Sequence, residues 1–93
     1  MDALLENIRA AINAESFVVT NHADDRLRER GVEIWQLLGS LDEAELIESR
    51  PGDLPNPSIV IRQDLPDGTP VMVVWAWVES SRLPLLVTVY FED

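Results

Sequence analysis

Residues 3–14, ALLENIRAAINA, place Leu4, Leu5, Ile8, Ala11 and Ile12 at the spacing i, i+1, i+4, i+7, i+8. That is the repeat of a helix with one buried face, and it predicts an N-terminal helix within residues 1–15. FVVT (17–20) is a short β-prone run and reads as a short strand. Asn21 then stands where a helix N-cap belongs, with Asp24 and Asp25 in the first turn facing the positive helix end. Gly31 fits the position that stops this helix. Residues 33–41 continue as a further helix burying Ile34, Trp35, Leu37, Leu38 and Leu41, with Gly39 and Ser40 weakening its end. The span 21–41 is thus expected to be a helical pair.

The texture changes after that. ELIES (45–49), SIVIRQ (58–63), PVMVVWAWVE (70–79) and LLVTVYF (85–91) are rich in β-branched and aromatic residues and separated by Pro- and Gly-containing breaks. Asp67-Gly68 is a strong hairpin signal. Short connections favour antiparallel neighbours, so residues 45–91 are expected to form a four-stranded antiparallel meander. Helices first and strands last define an α+β fold, with the N-terminal helices packed on a C-terminal sheet. Residues 1–93 read as a single domain.

One strand complicates that picture. Val71, Val73, Trp75 and Trp77 face one way, and Met72, Val74, Ala76 and Val78 the other. Both faces are apolar, so both need cover, while helices cover one face only. Either the first helix wraps further round the sheet, or a partner covers the rest, most simply a second copy forming a homodimer through the apolar C-terminal strands.

Composition narrows the function classes. There is no cysteine and one histidine, which excludes a disulfide scaffold or thiolate site and makes no case for a metal or other cofactor. VMVVWAWV is too short to span a bilayer as a helix, and the N-terminus lacks the features of a signal peptide. The expectation is a cytoplasmic protein with no membrane partner. Seventeen acids against seven basic residues, all arginine, give a net charge of −10. Such a surface repels nucleic acid at long range and suits a basic protein partner.

The candidate chemistry lies in VVTNHADDRLRERGV (18–32). On a helical wheel only Ala23 and Leu27 are apolar, and Asp24 and Arg28 pair on the far side. His22, Arg26 and Arg30 form a row beside the apolar stripe. Two arginines four residues apart repel unless something negative lies between them. That group is either one of the protein's own carboxylates or a bound anion such as phosphate, which the planar guanidinium grips well. Thr88 and Tyr90 share one face of the last strand, where their hydroxyls either line a groove or satisfy backbone groups. DEAE (42–45) reads as a solvated turn, and Trp35, Trp75 and Trp77 as core residues.

These strings taken together resemble a bacterial family, domain of unknown function 4258. TNHADDRLRERGV, then ELIESRP, GTPVMVVWAWV and a closing LLVTVYFED match its opening histidine–arginine pattern and its Thr-Val-Tyr strand over roughly residues 17–93. The family looks like a distant relative of the RelE and BrnT toxins, small ribonucleases with helices packed on an antiparallel sheet. The resemblance implies His22 as base on a ribose 2′-hydroxyl. It implies Arg26 and Arg30 as stabilisers of the phosphorane, with Thr88 and Tyr90 at the closing motif and Tyr90 donating a proton or positioning phosphate. RNA would be the substrate and an antitoxin-like protein the partner. Two departures stand out: relatives often carry histidine where this chain has Met72, and such toxins are usually basic. The alternative is a non-catalytic domain on the same scaffold that self-associates or binds protein.

Overall fold

The computed structural model describes residues 2–92. In chain order the elements are α1 (Ala3–Asn13), β1 (Val18–Val19), α2 (Asn21–Arg30), α3 (Ile34–Gly39), a single 3-10 turn (Leu41–Glu43), β2 (Glu45–Arg50), β3 (Ser58–Asp64), β4 (Pro70–Val78) and β5 (Leu83–Phe91). The fold is α+β, and β2 to β5 form the expected antiparallel meander.

The sheet nevertheless has five strands and is mixed, in the order β1-β5-β4-β3-β2. The fifth strand is β1, which runs parallel to β5 with Val18 opposite Leu85 and Val19 opposite Leu86. A parallel pair needs a long crossover. Here the crossover is residues 20–82, so reasoning from short connections could not see it. β5 is therefore not a bare edge: β1 covers its start, and α2, which follows β1 directly, packs against it.

The main core lies between the helices and one sheet face. It joins Leu5, Ile8 and Ile12 of α1 and Ala23 and Leu27 of α2 to Trp75, Leu86 and Val89 of the sheet. The other face carries a smaller cluster, Val60, Met72 and Val74, with Val87 against it. These three are already 2%, 7% and 9% exposed in the single chain. Part of the cover comes from Arg62 of β3, which reaches Glu45 of β2 at 3.6 Å and Glu92, beyond β5, at 3.4 Å. Since β4 lies between β3 and β5, the Arg62–Glu92 contact spans it. Burial of both faces of β4 thus needs neither a longer wrap by α1 nor a second copy.

Two local expectations are corrected. Trp35 is 58% exposed rather than in the core. α3 has only six residues and buries Leu37; Ile34 and Leu38 pack beside it, leaving Trp35 off that stripe. The cap of α2 is Thr20, not Asn21, which is the first helical residue. Thr20 Oγ1 accepts from the Ala23 N–H at 3.1 Å and donates to the Leu86 carbonyl at 2.8 Å. The same hydroxyl caps the helix and ties it to β5. Thr20→Ala should therefore cost about 1–2 kcal/mol in urea unfolding, whereas Asn21→Ala should stay within about 0.5 kcal/mol. Equal losses would return the cap to Asn21.

Gly31 ends α2 as expected, at φ 66°. That left-handed geometry is the one glycine adopts without steric cost. The hairpin at Asp67-Gly68 also forms: Gly68 donates to the Leu65 carbonyl at 2.8 Å, and Asp67 Oδ1 accepts from the Thr69 N–H at 3.0 Å. That backbone bond holds the Asp67 carboxyl below the usual aspartate range.

Candidate functional site

Thr20 starts α2 and Gly31 stops it, so His22, Arg26 and Arg30 lie along one side of a ten-residue helix anchored by Ala23 and Leu27. His22 is exposed in the first turn. The Arg26 and Arg30 side chains are partly buried, and both meet the same group: the carboxylate of Glu29. Arg30 Nη1 lies 3.6 Å from Glu29 Oε2, and Arg26 Nη1 contacts the same oxygen. Arg28 pairs separately with Asp24 at 3.0 Å. The negative group demanded by the arginine row is thus one glutamate on the same helix, 53% exposed.

Two guanidiniums on one carboxylate leave an unbalanced positive charge. An exposed pair of this kind contributes little, roughly 0–1 kcal/mol, so a phosphate oxyanion can compete for it. Part of the balance comes from the negative C-terminal end of the helix, which favours cations in its last turn; Arg28 and Arg30 both lie there. Arg30 Nε is buried and has no acceptor. Beside it opens a shallow cleft of about 280 Å³, lined also by Gln36, Asp67, Thr69 and Phe91.

Thr88 and Tyr90 stand opposite Val74 and Met72 in the β4–β5 ladder. Directly opposed residues share a face, so both belong to the helix-free side with the Val60–Met72–Val74 cluster. Tyr90 is exposed. Position 72, where the resemblance places a histidine, is in register between Arg62 and Tyr90. In this chain that row holds a buried methionine and so lacks a titratable group at its centre.

The structure thus gathers His22, Arg26 and Arg30 on one helix and Thr88 and Tyr90 on one strand face, but Ala23 and Leu27 seat that helix on the opposite face of the sheet, with Leu86 and Val89. Among the described residues, no side-chain hydrogen bond or ion pair joins the two sets. Sequence reasoning missed the role of Glu29. It also missed a two-bond ion pair on β2, in which Arg50 Nε and Nη2 donate to Glu48 at 2.8 and 2.9 Å. These bonds hold the Glu48 carboxyl below its ordinary range and raise Arg50 further. Alternate positions in a strand share a face, and Glu-X-Arg in ELIESR carried that signal. Among the described residues, no group of three or more His, Asp or Glu side chains is placed to hold a metal ion. Nor, among the described residues, is any helix long and apolar enough to cross a membrane.

What the fold and site define at this level is a small α+β domain with a histidine–arginine helix laid on its last sheet strand. The family model described as "Domain of unknown function (DUF4258)" matches residues 19–91, and the chain belongs to that family. The match runs from β1 to β5 and leaves α1 outside. No curated protein and no solved structure matches the chain.

Proposed function

We propose that α2 and the adjoining flank of β5 bind the phosphate backbone of single-stranded RNA, and that the chain is an endoribonuclease of the RelE/BrnT toxin kind. The observation that carries this reading is the sharing of one exposed carboxylate, Glu29, by Arg26 and Arg30. In the reaction, His22 removes the proton of a ribose 2′-hydroxyl. The 2′-oxygen attacks the adjacent phosphorus, the bond to the 5′-oxygen breaks, and a 2′,3′-cyclic phosphate forms. Arg26 and Arg30 neutralise the charge that builds on the phosphorane. Tyr90, beside Thr88 on the other face of the sheet, positions a neighbouring phosphate as the strand passes the edge of β5, and the departing 5′-oxygen takes its proton from water. The nucleophile is internal to the substrate, so orientation supplies much of the acceleration. The net charge of −10 repels RNA at long range, so the strand has to be held by the local Arg26–Arg30 row.

The test is release of cyclic-phosphate product from an end-labelled oligoribonucleotide. His22→Ala should slow it by about 10²–10⁴-fold, and the double variant Arg26→Ala/Arg30→Ala should weaken both binding and turnover. No product from the parent protein sinks the reading.

A second reading, a non-catalytic domain that self-associates or binds protein, is favoured by a different observation. On the helix-free face a cleft of about 340 Å³ has Val74, Ala76, Leu85 and Val87 in its lining. The fully projecting Leu54 lies one residue from Pro55, which also lines it. A parent protein that leaves RNA intact but forms dimers by light scattering would establish this reading instead.

A further inference from the structure

Trp35 is the large aromatic that the fold leaves outside. At 58% exposed it stands on α3 between two clefts and forms a wall of both. One, about 390 Å³, has Val19, Leu27, Val32 and Ile34 in its lining. The other, about 330 Å³, is lined by Leu65 and Pro66 among others. An exposed tryptophan between apolar clefts matches the centre of a protein interface, where tryptophan is the most enriched anchor.

The rim says what kind of partner fits. Glu33 borders the first cleft, and Glu43 and Asp64 border the second. Among the described residues none of these three carboxylates is in an ion pair. The one cation in either lining, Arg28, is already paired with Asp24. Glu33 accepts the Trp35 Nε1 proton, so a carboxylate stands at the edge of this exposed ring. That is the arrangement in which a lysine or arginine gains both carboxylate and cation–π contacts.

We propose that the Trp35 face of α3 is a docking surface for a cationic amphipathic segment of a partner protein, apolar side chains entering the two clefts and lysine or arginine meeting Glu33, Glu43 and Asp64. The opposite occupant, a second copy of this chain, is disfavoured because each copy carries −10 and would bring like charges together. The second cleft shares Gln36, Leu65 and Pro66 with the cleft beside Arg30, but neither Arg26 nor Arg30 lines a Trp35 cleft, so the proposal does not rest on RNA cleavage.

The probe is an amidated amphipathic peptide of about four helical turns built only of leucine and lysine, labelled for anisotropy and titrated with the whole protein. The parent should bind it, and should ignore the same peptide with glutamate in place of lysine. Trp35→Ala should weaken binding by about tenfold or more, while buried Trp75 and Trp77 report an intact fold through their emission. Glu43→Gln/Asp64→Asn should weaken it more than Glu15→Gln/Asp25→Asn, which removes the same charge from exposed positions outside both clefts. Equal affinity for Trp35→Ala overturns the proposal. So does equal loss in the two charge pairs, which would reduce the binding to net charge alone, and so does a parent that does not bind.

Discussion

Trp75→Ala should cost about 3–5 kcal/mol and lower the melting temperature by about 15–25 °C in a domain of this size. Trp75 is 1% exposed on β4, the middle strand of the sheet, and lies in the main core. Its ring meets Phe17 edge-to-face, with centroids 6.0 Å apart and planes at 88°. Phe17 immediately precedes β1, so the contact helps seat the parallel strand at the far side of the sheet. Truncation removes that contact and leaves a cavity that surrounding strands cannot close. A domain of this length has about 5–14 kcal/mol in all, so the variant should keep only about 0–11 kcal/mol. Trp75→Phe should lose less than half as much. It keeps an aromatic wedge, and it removes an indole N–H that is buried without an acceptor, a group whose desolvation costs about 1–3 kcal/mol. Thermal unfolding followed by circular dichroism decides the matter. A fall under about 5 °C for the alanine variant would show that the wedge is dispensable.

Local chemistry was legible wherever it was also local in structure. The helix over 3–14, the Gly31 stop, the Asp67-Gly68 hairpin and the two-sided burial of β4 follow from spacing and turn residues alone. What failed was decided by partners distant in sequence. β1 has two residues and exists because Leu85 and Leu86 pair with it; its own β propensity hinted at a strand but not at its place. Thr20 and Asn21 are both good caps, and the bond from Thr20 to the Leu86 carbonyl is what distinguishes the residue that caps. Trp35 is a different case, because the sequence did contain the answer. Ile34, Leu37, Leu38 and Leu41 complete a stripe at i, i+3, i+4 and i+7, and Trp35 lies about 100° off its first member. Phase, not hydrophobicity, decides which of these residues is buried. In the candidate site, the arginine row was legible and its counter-charge was not. Glu29 is adjacent to Arg30 and three residues from Arg26, a spacing from which side chains meet on a helix, but a wheel drawn to find the core assigned it to the solvent side.

Gln63→Ala should cost about 2–4 kcal/mol, combining a small cavity with two lost hydrogen bonds. Gln63 is a polar residue at 2% exposure on β3. Its Nε2 donates to the Leu37 carbonyl at 2.7 Å and to Ser40 Oγ at 2.9 Å, and Ser40 Oγ in turn donates to the Gln36 carbonyl at 3.3 Å. These carbonyls belong to the last turn of a six-residue helix, among the groups a helix cannot satisfy internally. An isolated helix this short is unstable in water, so α3 depends on being held. The tether supplies that hold together with Leu37, and it fixes the height at which Trp35 stands above the surface. Gln63→Leu weighs the contributions against each other: it refills much of the volume and removes a buried Oε1 that has no donor, but leaves the Leu37 carbonyl without its own. If polar satisfaction dominates, leucine should recover little of the urea midpoint lost by alanine, and hydrogen exchange should rise in α3 while staying low in β4. Full recovery by leucine would show that Gln63 acts by filling space, and α3 would then be held by Leu37 packing alone.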